Sequence, residues 1–367
     1  MKNYLEFEKE VKALEQEVNE LKSPFGSEGI SEVDTKKIKD TQNEINEKLK
    51  ETYANLNSWQ RTQVARHEDR PRANFYIKKI FSQFTLLAGD RYFGDDKSVI
   101  AGFGLIDNKS VLIIGQEKGE DLSSRIERNF GMMRPEGYRK CIRLMKLADR
   151  FQIPVVSFID TPGAYPGLGA EQRGQASAIA NSIECCMSLT VPNISIIIGE
   201  GGSGGAIALA SSNKVIMLEN SIYSVISPEG CASILWRDPS KALQAAEAMK
   251  LTAKDLLKLG VIDEIIYEPL GGAHRDPESI AVDLKNSIIK NLKNFENFGK
   301  EEIYDHRKTK FLQIGRGQGF SKSNNLDGGL SYKESGLQKF NTHIIKNKLI
   351  YAGIGLVAII GLLAHLL

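Results

Sequence analysis

Hydrophobic and polar residues alternate in three different ways along the chain, and each pattern predicts a different element. Near the N-terminus the apolar residues return every three or four positions, which is typical of an amphipathic helix. From residue 98 onward they form short apolar runs bounded by Gly, Pro and Asn, which is typical of buried strands followed by turns. The last residues form one long apolar run. The pattern predicts an α/β domain that follows a helical arm and precedes a separate apolar segment.

The helical arm begins with an apolar stripe that has the spacing of a coiled-coil seam. Its members are separated by four and three residues: Phe7, Val11, Leu14, Val18 and Leu21. After a break at 23–26, a sparser stripe predicts a second helix: Ile38, Ile45, Leu49 and Leu56. Two such helices bury little apolar surface between them, so we expect the hairpin to pack on the main domain or on a partner. A further helix is predicted over 74–87.

The central part of the chain alternates strand and helix patterns. Apolar runs at 99–106 and 111–115 flank the turn Asp107-Asn108-Lys109 and predict a hairpin. Further strands are predicted over 154–160, 192–198, 214–218, 223–226 and 261–266. Helices are predicted over 135–151, 170–189 and 277–298, and from Ala206 onward. In α/β folds of this kind the chemistry lies in the loops beyond the strand ends.

The stretch 192–208 carries the strongest candidate chemistry. An Ile-rich strand runs into five glycines within seven residues, and the small apolar residues of a helix follow. A strand, a glycine turn and a helix N-terminus together present main-chain N–H groups with no Cβ atoms in front of them. We expect these N–H groups to hold a developing oxyanion.

Other interpretations of this stretch remain open. Gly199, Gly201 and Gly204 spell G-x-G-x-x-G with Glu219 twenty residues after the first glycine, which is the dinucleotide-binding pattern. The sequence G-x-S-x-G around Ser203 is typical of a serine nucleophile, which would need a Lys or His base nearby. The glycines could also serve only to let a helix pack closely on a strand. A membrane-tethered scaffold without catalytic activity is a further alternative.

Composition excludes several classes of protein. Of 367 residues, 41% are hydrophobic and 26% are charged, which is ordinary for a globular protein. The net charge of +2 calls for no polyanionic partner, so no nucleic acid is expected. The four cysteines form no C-x-x-C pair, which argues against a zinc site in this chain and against a disulfide framework. They are Cys141, Cys185, Cys186 and Cys231.

The C-terminal part has a different texture. Residues 299–348 read as a flexible basic linker, because Gly, Ser and Asn are abundant and 13 Lys and Arg stand against 6 Asp and Glu over 285–348. Residues 349–367 are apolar except for His365, and 19 such residues can just cross a membrane, which needs about 20. We predict a transmembrane tail helix with Lys346 and Lys348 on the cytoplasmic side. The alternative is a hydrophobic helix that docks on protein.

Several different sequence motifs follow one another between residues 66 and 274. They are Arg66-His67 to Arg70-Pro71, Phe93-Gly94-Asp95-Asp96, Gln116-Glu117-Lys118-Gly119, Asn129-Phe130-Gly131-Met132 to Tyr138-Arg139-Lys140, Asp160 to Gln175, Gly199 to Gly205, Ser227-Pro228-Glu229-Gly230, and Glu268-Pro269-Leu270-Gly271-Gly272-Ala273-His274. With these motifs the chain closely resembles the carboxyltransferase α subunit of bacterial and plastid acetyl-CoA carboxylase. The linker and the apolar tail do not belong to the common pattern of that family.

The resemblance implies a crotonase-like (ClpP/crotonase) fold, a spiral of ββα units, here with an N-terminal helical hairpin and a C-terminal apolar helix. It implies transfer of CO2 from carboxybiotin on the biotin carrier protein to acetyl-CoA, giving malonyl-CoA for fatty acid biosynthesis. The implied partners are a zinc-carrying carboxyltransferase β subunit in an α2β2 heterotetramer, the biotin carboxyl carrier protein and biotin carboxylase. The expected location is the cytoplasm or the plastid stroma, with a membrane tether through 349–367. The predicted domains are a helical arm at 1–90, a carboxyltransferase domain at 91–298, the linker at 299–348 and the tail at 349–367.

The implied chemistry develops negative charge on two carbonyl oxygens, one of biotin and one of the thioester, and paired N–H groups can hold each. We assign the biotin oxyanion site to the backbone of Gly204 and Gly205, with Gly201 and Gly202 shaping the turn. The remaining candidates are Gly163 and Ala164 as further donors, Tyr165 and Pro166 as walls of the biotin slot, and Arg66, Arg70 and Arg72 as ligands of a CoA phosphate. Surface charge without a ligand is an equal alternative for these arginines.

Overall fold

The apolar runs in the middle of the chain form one eight-stranded sheet in the computed structural model, which describes residues 3–22, 25–26, 29–30 and 35–316. The described strands are β1 (Phe25–Gly26), β2 (Gly29–Ile30), β3 (Ser82–Leu86), β4 (Val99–Ile106), β5 (Lys109–Gln116), β6 (Val155–Thr161), β7 (Asn193–Gly202), β8 (Lys214–Leu218), β9 (Ile222–Ser224) and β10 (Glu264–Ile266). The sheet order is β10-β8-β7-β6-β5-β4-β3, and β9 pairs with the end of β7. Strands β1 and β2 form a separate small ribbon.

Helices cover both faces of this sheet. The described helices are α1 (Lys9–Lys22), α2 (Thr35–Ala54), α3 (Ser58–Ala65), α4 (Ala73–Ile80), α5 (Leu122–Glu127), α6 (Pro135–Arg150), α7 (Leu168–Gln172), α8 (Gln175–Ser188), α9 (Ser203–Ala210), α10 (Pro228–Trp236), α11 (Ala242–Met249), α12 (Ala253–Lys258), α13 (Pro277–Lys293) and α14 (Lys300–Gln313). Helices α6, α8, α9 and α12 enclose one apolar core, and α4 and α13 enclose the other.

Strand β7 lies at the centre of the sheet. All ten of its residues are buried. Ile194, Ile196 and Ile198 enter one core and Ile197 enters the other, as the two-residue period of a strand requires. The strands from β5 to β10 along the sheet are parallel, so their carboxyl ends meet at one edge. The turns that follow β6 and β7 therefore lie side by side.

The predicted hairpin at 99–115 is confirmed. Strands β4 and β5 pair antiparallel, and Ile106 faces Lys109 across the turn. Asp107 and Asn108 both have positive φ, at 50° and 62°, as the two-residue turn of type I′ requires.

The N-terminal hairpin packs on the main domain, as predicted. Val11, Val18, Ile45 and Leu49 form its own small core. Arg275 then joins the hairpin to the domain, with Nη1 2.7 Å from Glu15 Oε1 and Nη2 3.2 Å from Glu8 Oε1. His67 Nε2 lies 3.1 Å from the Asn3 carbonyl oxygen and adds a second link.

The helix predicted over 74–87 is wrong in its second half. Helix α4 ends at Ile80, and the chain continues as the edge strand β3, which pairs antiparallel with β4. The strand fits there because β4 carries glycine at the points of closest approach. A Cβ atom built on Gly102 would lie 2.0 Å from the Thr85 carbonyl oxygen. Strand β3 thus belongs to the sheet, although it lies inside the predicted helical arm 1–90.

The flexible linker predicted over 299–348 is wrong for its first residues, because Lys300–Gln313 forms helix α14. The Arg307 side chain is fully buried and fixes this helix to the domain. It donates to the carbonyl oxygens of Met187, Leu189 and Val191 and to the Oδ1 atoms of Asn193 and Asn213. The rest of the linker and the predicted tail helix at 349–367 lie outside the described residues. Within the described part of the chain, no helix is long and apolar enough to cross a membrane.

Candidate active site

The glycine turn joins the central strand directly to a helix. Strand β7 ends at Gly202, which is also the N-cap of α9, and Ser203 takes the positive φ of 50° that turns the chain. The first N–H groups of a helix have no acceptor within it, and Gly202 has no side chain that could accept from them. The main-chain N–H groups of Gly204 and Gly205 therefore form a positively polarised helix end, as the sequence predicted.

An apolar cavity of about 270 Å³ lies beside this helix end. Its lining residues are Ser203, Gly204, Ile207, Tyr223, Ser224, Val225, Leu256 and Val261. A Cβ atom built on Gly204 would have only the Ile179 side chain near it, at 3.5 Å. Gly204 thus leaves its backbone accessible from the cavity. Apolar walls with a few polar groups at one end are typical of a small-molecule site.

The turn after β6 packs against the glycine turn. A Cβ atom built on Gly205 would lie 2.6 Å from the Gly163 carbonyl carbon and 3.0 Å from the Ala164 nitrogen. A Cβ atom on Gly202 would lie 2.2 Å from the Pro162 carbonyl oxygen. The structure therefore brings the two predicted donor turns together. The Gly163 N–H group, however, already donates to Thr161 Oγ1 at 3.2 Å, which leaves Ala164 as the better donor of that pair.

Gly201 packs closely against Tyr223, a residue of the cavity wall. A Cβ atom built on it would lie 2.9 Å from Tyr223 Cδ2. Tyr223 lines the cavity, whereas Tyr165 and Pro166, which were predicted as walls, do not. The Tyr165 ring is half-buried under the Arg134 guanidinium, 4.6 Å from the ring centre, and Pro166 is exposed. The sequence missed Tyr223, Leu256 and Val261 because they follow Gly205, the last residue of the glycine turn, by 18 to 56 positions and belong to ordinary apolar patterns.

A chain of alternating charges runs beneath the two turns. Arg72 Nη1 lies 3.1 Å from Asp160 Oδ2, and Lys118 Nζ lies 2.7 Å from Asp160 Oδ1. Lys118 Nζ also lies 2.7 Å from Glu200 Oε2, and Arg66 Nε lies 2.6 Å from Glu200 Oε1. We call these five residues the charge ladder. Arg66 extends it toward the surface, where its Nη1 lies 2.5 Å from the Glu229 carboxylate.

The ladder keeps its carboxylates ionised in the interior. Burial by itself would raise the pKa of Asp160, but the Lys118 ammonium and the Arg72 guanidinium outweigh it and hold the pKa below its usual range. Burial opposes ionisation of Glu200 in the same way, and Lys118 and Arg66 hold its pKa low. The ladder is therefore a set of fixed charges rather than a source of protons at neutral pH.

Arg70 does not fit the predicted role of a CoA phosphate ligand. Its side chain has no exposed surface and forms a two-pronged ion pair with Glu268, at 2.5 and 3.0 Å. Arg72 is also buried, on Asp160. Both arginines are buried in ion pairs with interior carboxylates, so neither the phosphate interpretation nor the surface-charge interpretation describes their surroundings. Arg66 is the exception, since its side chain keeps 30% exposure.

Comparison with known proteins now identifies the family. The family described as "Acetyl co-enzyme A carboxylase carboxyltransferase-like" matches residues 4–315. The chain is 64% identical to the acetyl-coenzyme A carboxylase carboxyl transferase subunit alpha of Pelagibacter ubique, over 98% of both chains. The chain belongs to this carboxyltransferase α-subunit family. The subunit alpha of Zymomonas mobilis is 53% identical over 86% of this chain and its own whole length.

The two relatives differ in how much of the C-terminal part they share. The Zymomonas mobilis match spans 315 residues and the Pelagibacter ubique match 362, so the latter relative shares most of the segment beyond residue 316. The Pelagibacter ubique match therefore extends beyond residue 315, where the match to the family ends.

Solved structures show the same crotonase-like fold. A Pseudomonas malonate decarboxylase hetero-tetramer in complex with coenzyme A superposes with a TM-score of 0.51 at 15% identity, covering 68% of this chain and all of that one. Transcarboxylase 12S, a hexamer with hydrolyzed methylmalonyl-coenzyme A bound, gives 0.50 at 18% identity, covering 62% of this chain and 42% of that one. At these identities the likeness concerns the fold alone.

Family membership decides among the alternative interpretations of the glycine stretch. Ser203 does stand at a strained strand-to-helix turn, but no Lys or His is among the described residues that line the cavity beside it. The dinucleotide and scaffold alternatives have no counterpart in the α-subunit family match. The carboxyltransferase interpretation is confirmed at the level of the family.

Proposed function

We propose that this chain is the α half of an acetyl-CoA carboxylase carboxyltransferase and that its α9 N-terminus holds the biotin carbonyl oxygen during carboxyl transfer. The observation that carries the proposal is the meeting of uncapped N–H groups with an apolar cavity at Gly204, in a chain of the α-subunit family. Carboxybiotin, bound to its carrier protein, supplies the carboxyl group, and acetyl-CoA is the acceptor.

The residues on the cavity wall fit a flat, neutral ring. Ile207, Tyr223 and Leu256 offer apolar surface, and the absent side chain of Gly204 leaves room at the helix end. The N–H groups of Gly204 and Gly205 point out of the first turn of α9, where the helix dipole favours negative charge. Negative charge that develops on a carbonyl oxygen placed there is stabilised without reorganisation of the protein.

The Ala164 N–H group is our candidate for a further donor, because the 163–164 peptide is in contact with Gly205. Arg66 is the remaining candidate for a CoA phosphate, since its side chain keeps 30% exposure beside a cavity lined by Trp59, Gln63 and His67. Its two carboxylate partners, Glu200 and Glu229, already neutralise much of its charge, so we expect its contribution to binding to be small.

The proposal includes partners that this chain does not contain. The described residues that line the cavity include no base, and the proposed site at Gly204 accounts for only one of the two carbonyl oxygens, so we propose that a β subunit supplies the thioester site. The biotin carboxyl carrier protein and biotin carboxylase are the proposed source of the carboxylated biotin. The α2β2 stoichiometry belongs to the same proposal.

The test is malonyl-CoA formation by the purified chain combined with its β subunit, carboxylated biotin carrier protein and acetyl-CoA. We expect product from the combination and none from either subunit alone. A correctly assembled complex that forms no malonyl-CoA would overturn the proposed function. The α subunit with a Ser203→Ala substitution is a matched control, because it alters the side chain beside the N–H groups but keeps every N–H group, and we expect it to retain turnover.

A further inference from the structure

Near its carboxyl end, at residues 198–200, strand β7 departs from regular pairing with β6. Ile159 of β6 faces Ile197, and Thr161 faces Gly201, so that Asp160 alone faces the three residues 198–200 of β7. Such a bulge removes ladder hydrogen bonds and re-aims the chain that leaves the strand. Here the chain that leaves is the glycine turn.

Two charged side chains replace the lost main-chain hydrogen bonds. Arg70 Nε donates to the Ile198 carbonyl oxygen at 2.7 Å, and the Glu200 N–H group donates to Asp160 Oδ1 at 3.0 Å. Asp160 can approach so closely because residue 199 is glycine: a Cβ atom there would lie 2.5 Å from Asp160 Oδ1. On the side that faces β6 the bulge is therefore held by interior side chains, while β9 pairs with Glu200 on the other side.

Lys118 fixes the direction of this contact. Its ammonium binds the same Asp160 Oδ1 atom and also the Glu200 carboxylate, both at 2.7 Å. Glu200 is thus held at its main chain by Asp160 and at its side chain by Lys118. Gly204 follows four residues later in the sequence, and Gly163 follows three residues after Asp160. The turns after β6 and β7 therefore both begin close to the contact between Asp160 and Glu200, which Lys118 holds in place.

We propose that Asp160, locked by Lys118, is a positioning residue: through the Glu200 N–H group it sets the direction in which the N–H groups of Gly204 and Gly205 face the cavity. The Asp160 side chain keeps only 1% exposure and does not line the cavity, so its role is positioning and not catalysis. The inference rests on the proposed function, because the direction of these N–H groups matters only if they hold a reacting oxygen.

The test compares Asp160→Ala with Asp160→Asn in the reconstituted complex. Asp160→Ala removes the acceptor of the Glu200 N–H group, and we expect kcat to fall about 100-fold or more, as for loss of an oxyanion donor, with KM for acetyl-CoA nearly unchanged. Asp160→Asn removes the same charge but keeps an oxygen that can accept from Glu200. We expect it to recover most of kcat, although both variants lower the unfolding midpoint.

Arg307→Met is the matched control. Arg307 is a fully buried cation that donates to Asn193 at the other end of β7, so its loss should lower the unfolding midpoint and leave kcat of the assembled complex unchanged. A kcat loss in Arg307→Met equal to that in Asp160→Ala would overturn the inference, as would equal kcat losses in Asp160→Ala and Asp160→Asn. Wild-type turnover is measured first. Its absence would overturn the proposed function, whereas wild-type turnover with an unimpaired Asp160→Ala variant would overturn the inference alone.

Discussion

Gly204 and Gly205 are consecutive glycines, but their surroundings differ. Gly204 lines the cavity, and a Cβ atom on it would have only the Ile179 side chain within 4 Å, at 3.5 Å. The Gly163 carbonyl group lies 2.6 Å from the position of a Cβ atom on Gly205. The first glycine therefore leaves room for a ligand, and the second lets two turns touch.

This difference predicts that a valine side chain has a different effect at each of the two positions. Gly204→Val should fold and assemble normally and lose nearly all turnover, because Gly204 lines the cavity and a side chain there adds bulk beside its N–H group. Gly205→Val must push two backbones apart, and we expect a loss of about 1–3 kcal/mol in the free energy of unfolding. Denaturant unfolding and malonyl-CoA formation measure the two effects.

Gly299→Val is the control for Gly204→Val, since Gly299 does not line the cavity and its nearest contact also lies at 3.5 Å. It should change neither turnover nor assembly. Normal turnover in a folded Gly204→Val variant would contradict the placement of the site.

The sequence alone predicted that glycines would expose main-chain N–H groups, because glycine places no Cβ atom in front of the backbone, but it left close helix–strand packing open as an alternative use. It could not separate Gly204 from Gly205. Their neighbours, Ile179 and Gly163, lie 25 and 42 positions earlier in the chain. The arginines posed the same problem: Arg70 sits in a loop of charged residues, and only its distant partner Glu268 makes it an interior residue.

At the scale of elements, the structure confirms the strands and helices with a clear period and differs where packing overrides a weak pattern. The hairpin of β4 and β5 and the N-terminal hairpin are found as predicted. Strand β3 was missed because the apolar residues of 74–87 have helical spacing. The glycines of β4 allow the backbone of 82–86 to approach closely, and this part of the segment pairs with β4 as a strand. Helix α14 was missed because it has no apolar stripe: its buried residues are Ile303 and the cation Arg307, and Lys310 adds an ion pair with Asp263.

The attachment of the N-terminal hairpin predicts a pH dependence. His67 and His274 stack with ring centres 3.8 Å apart, and His67 also contacts Asn3 of the arm. Burial, together with His67, Arg70 and Arg275, lowers the pKa of His274 to about 3, and burial also lowers that of His67. Both rings are therefore neutral in the folded protein at neutral pH.

In the unfolded chain a histidine titrates near about pH 6.5. Between there and about 3 the unfolded chain binds a proton at position 274 that the folded protein does not bind. Stability must fall as the pH falls through this window, by about 1.4 kcal/mol per pH unit for one such proton. His274→Phe should keep the stack and flatten the slope of unfolding free energy between pH 6 and pH 5 by about that amount. An unchanged slope in urea unfolding would contradict this account of His274.

At the scale of the whole molecule, the central strand is anchored at both ends by buried charge. Arg307 holds its beginning at Asn193, and Asp160 with Lys118 holds its end at Glu200. The order of motifs along the sequence sufficed to predict the family and the crotonase-like fold. It could not reveal this arrangement, because the ladder joins residues from four separate motifs that only the fold brings together.

The central claim is that main-chain N–H groups of α9 stabilise charge on the reacting carbonyl oxygen, and the most direct measurement removes one of them. Glycolic acid in place of Gly204 exchanges a single N–H group for an ester oxygen and adds no bulk; the same procedure returning glycine serves as the control. We predict that kcat for malonyl-CoA formation by the complex with the β subunit falls about 100- to 1,000-fold while KM changes little. Turnover equal to that of the control, at this position and at Gly205, would contradict the claim.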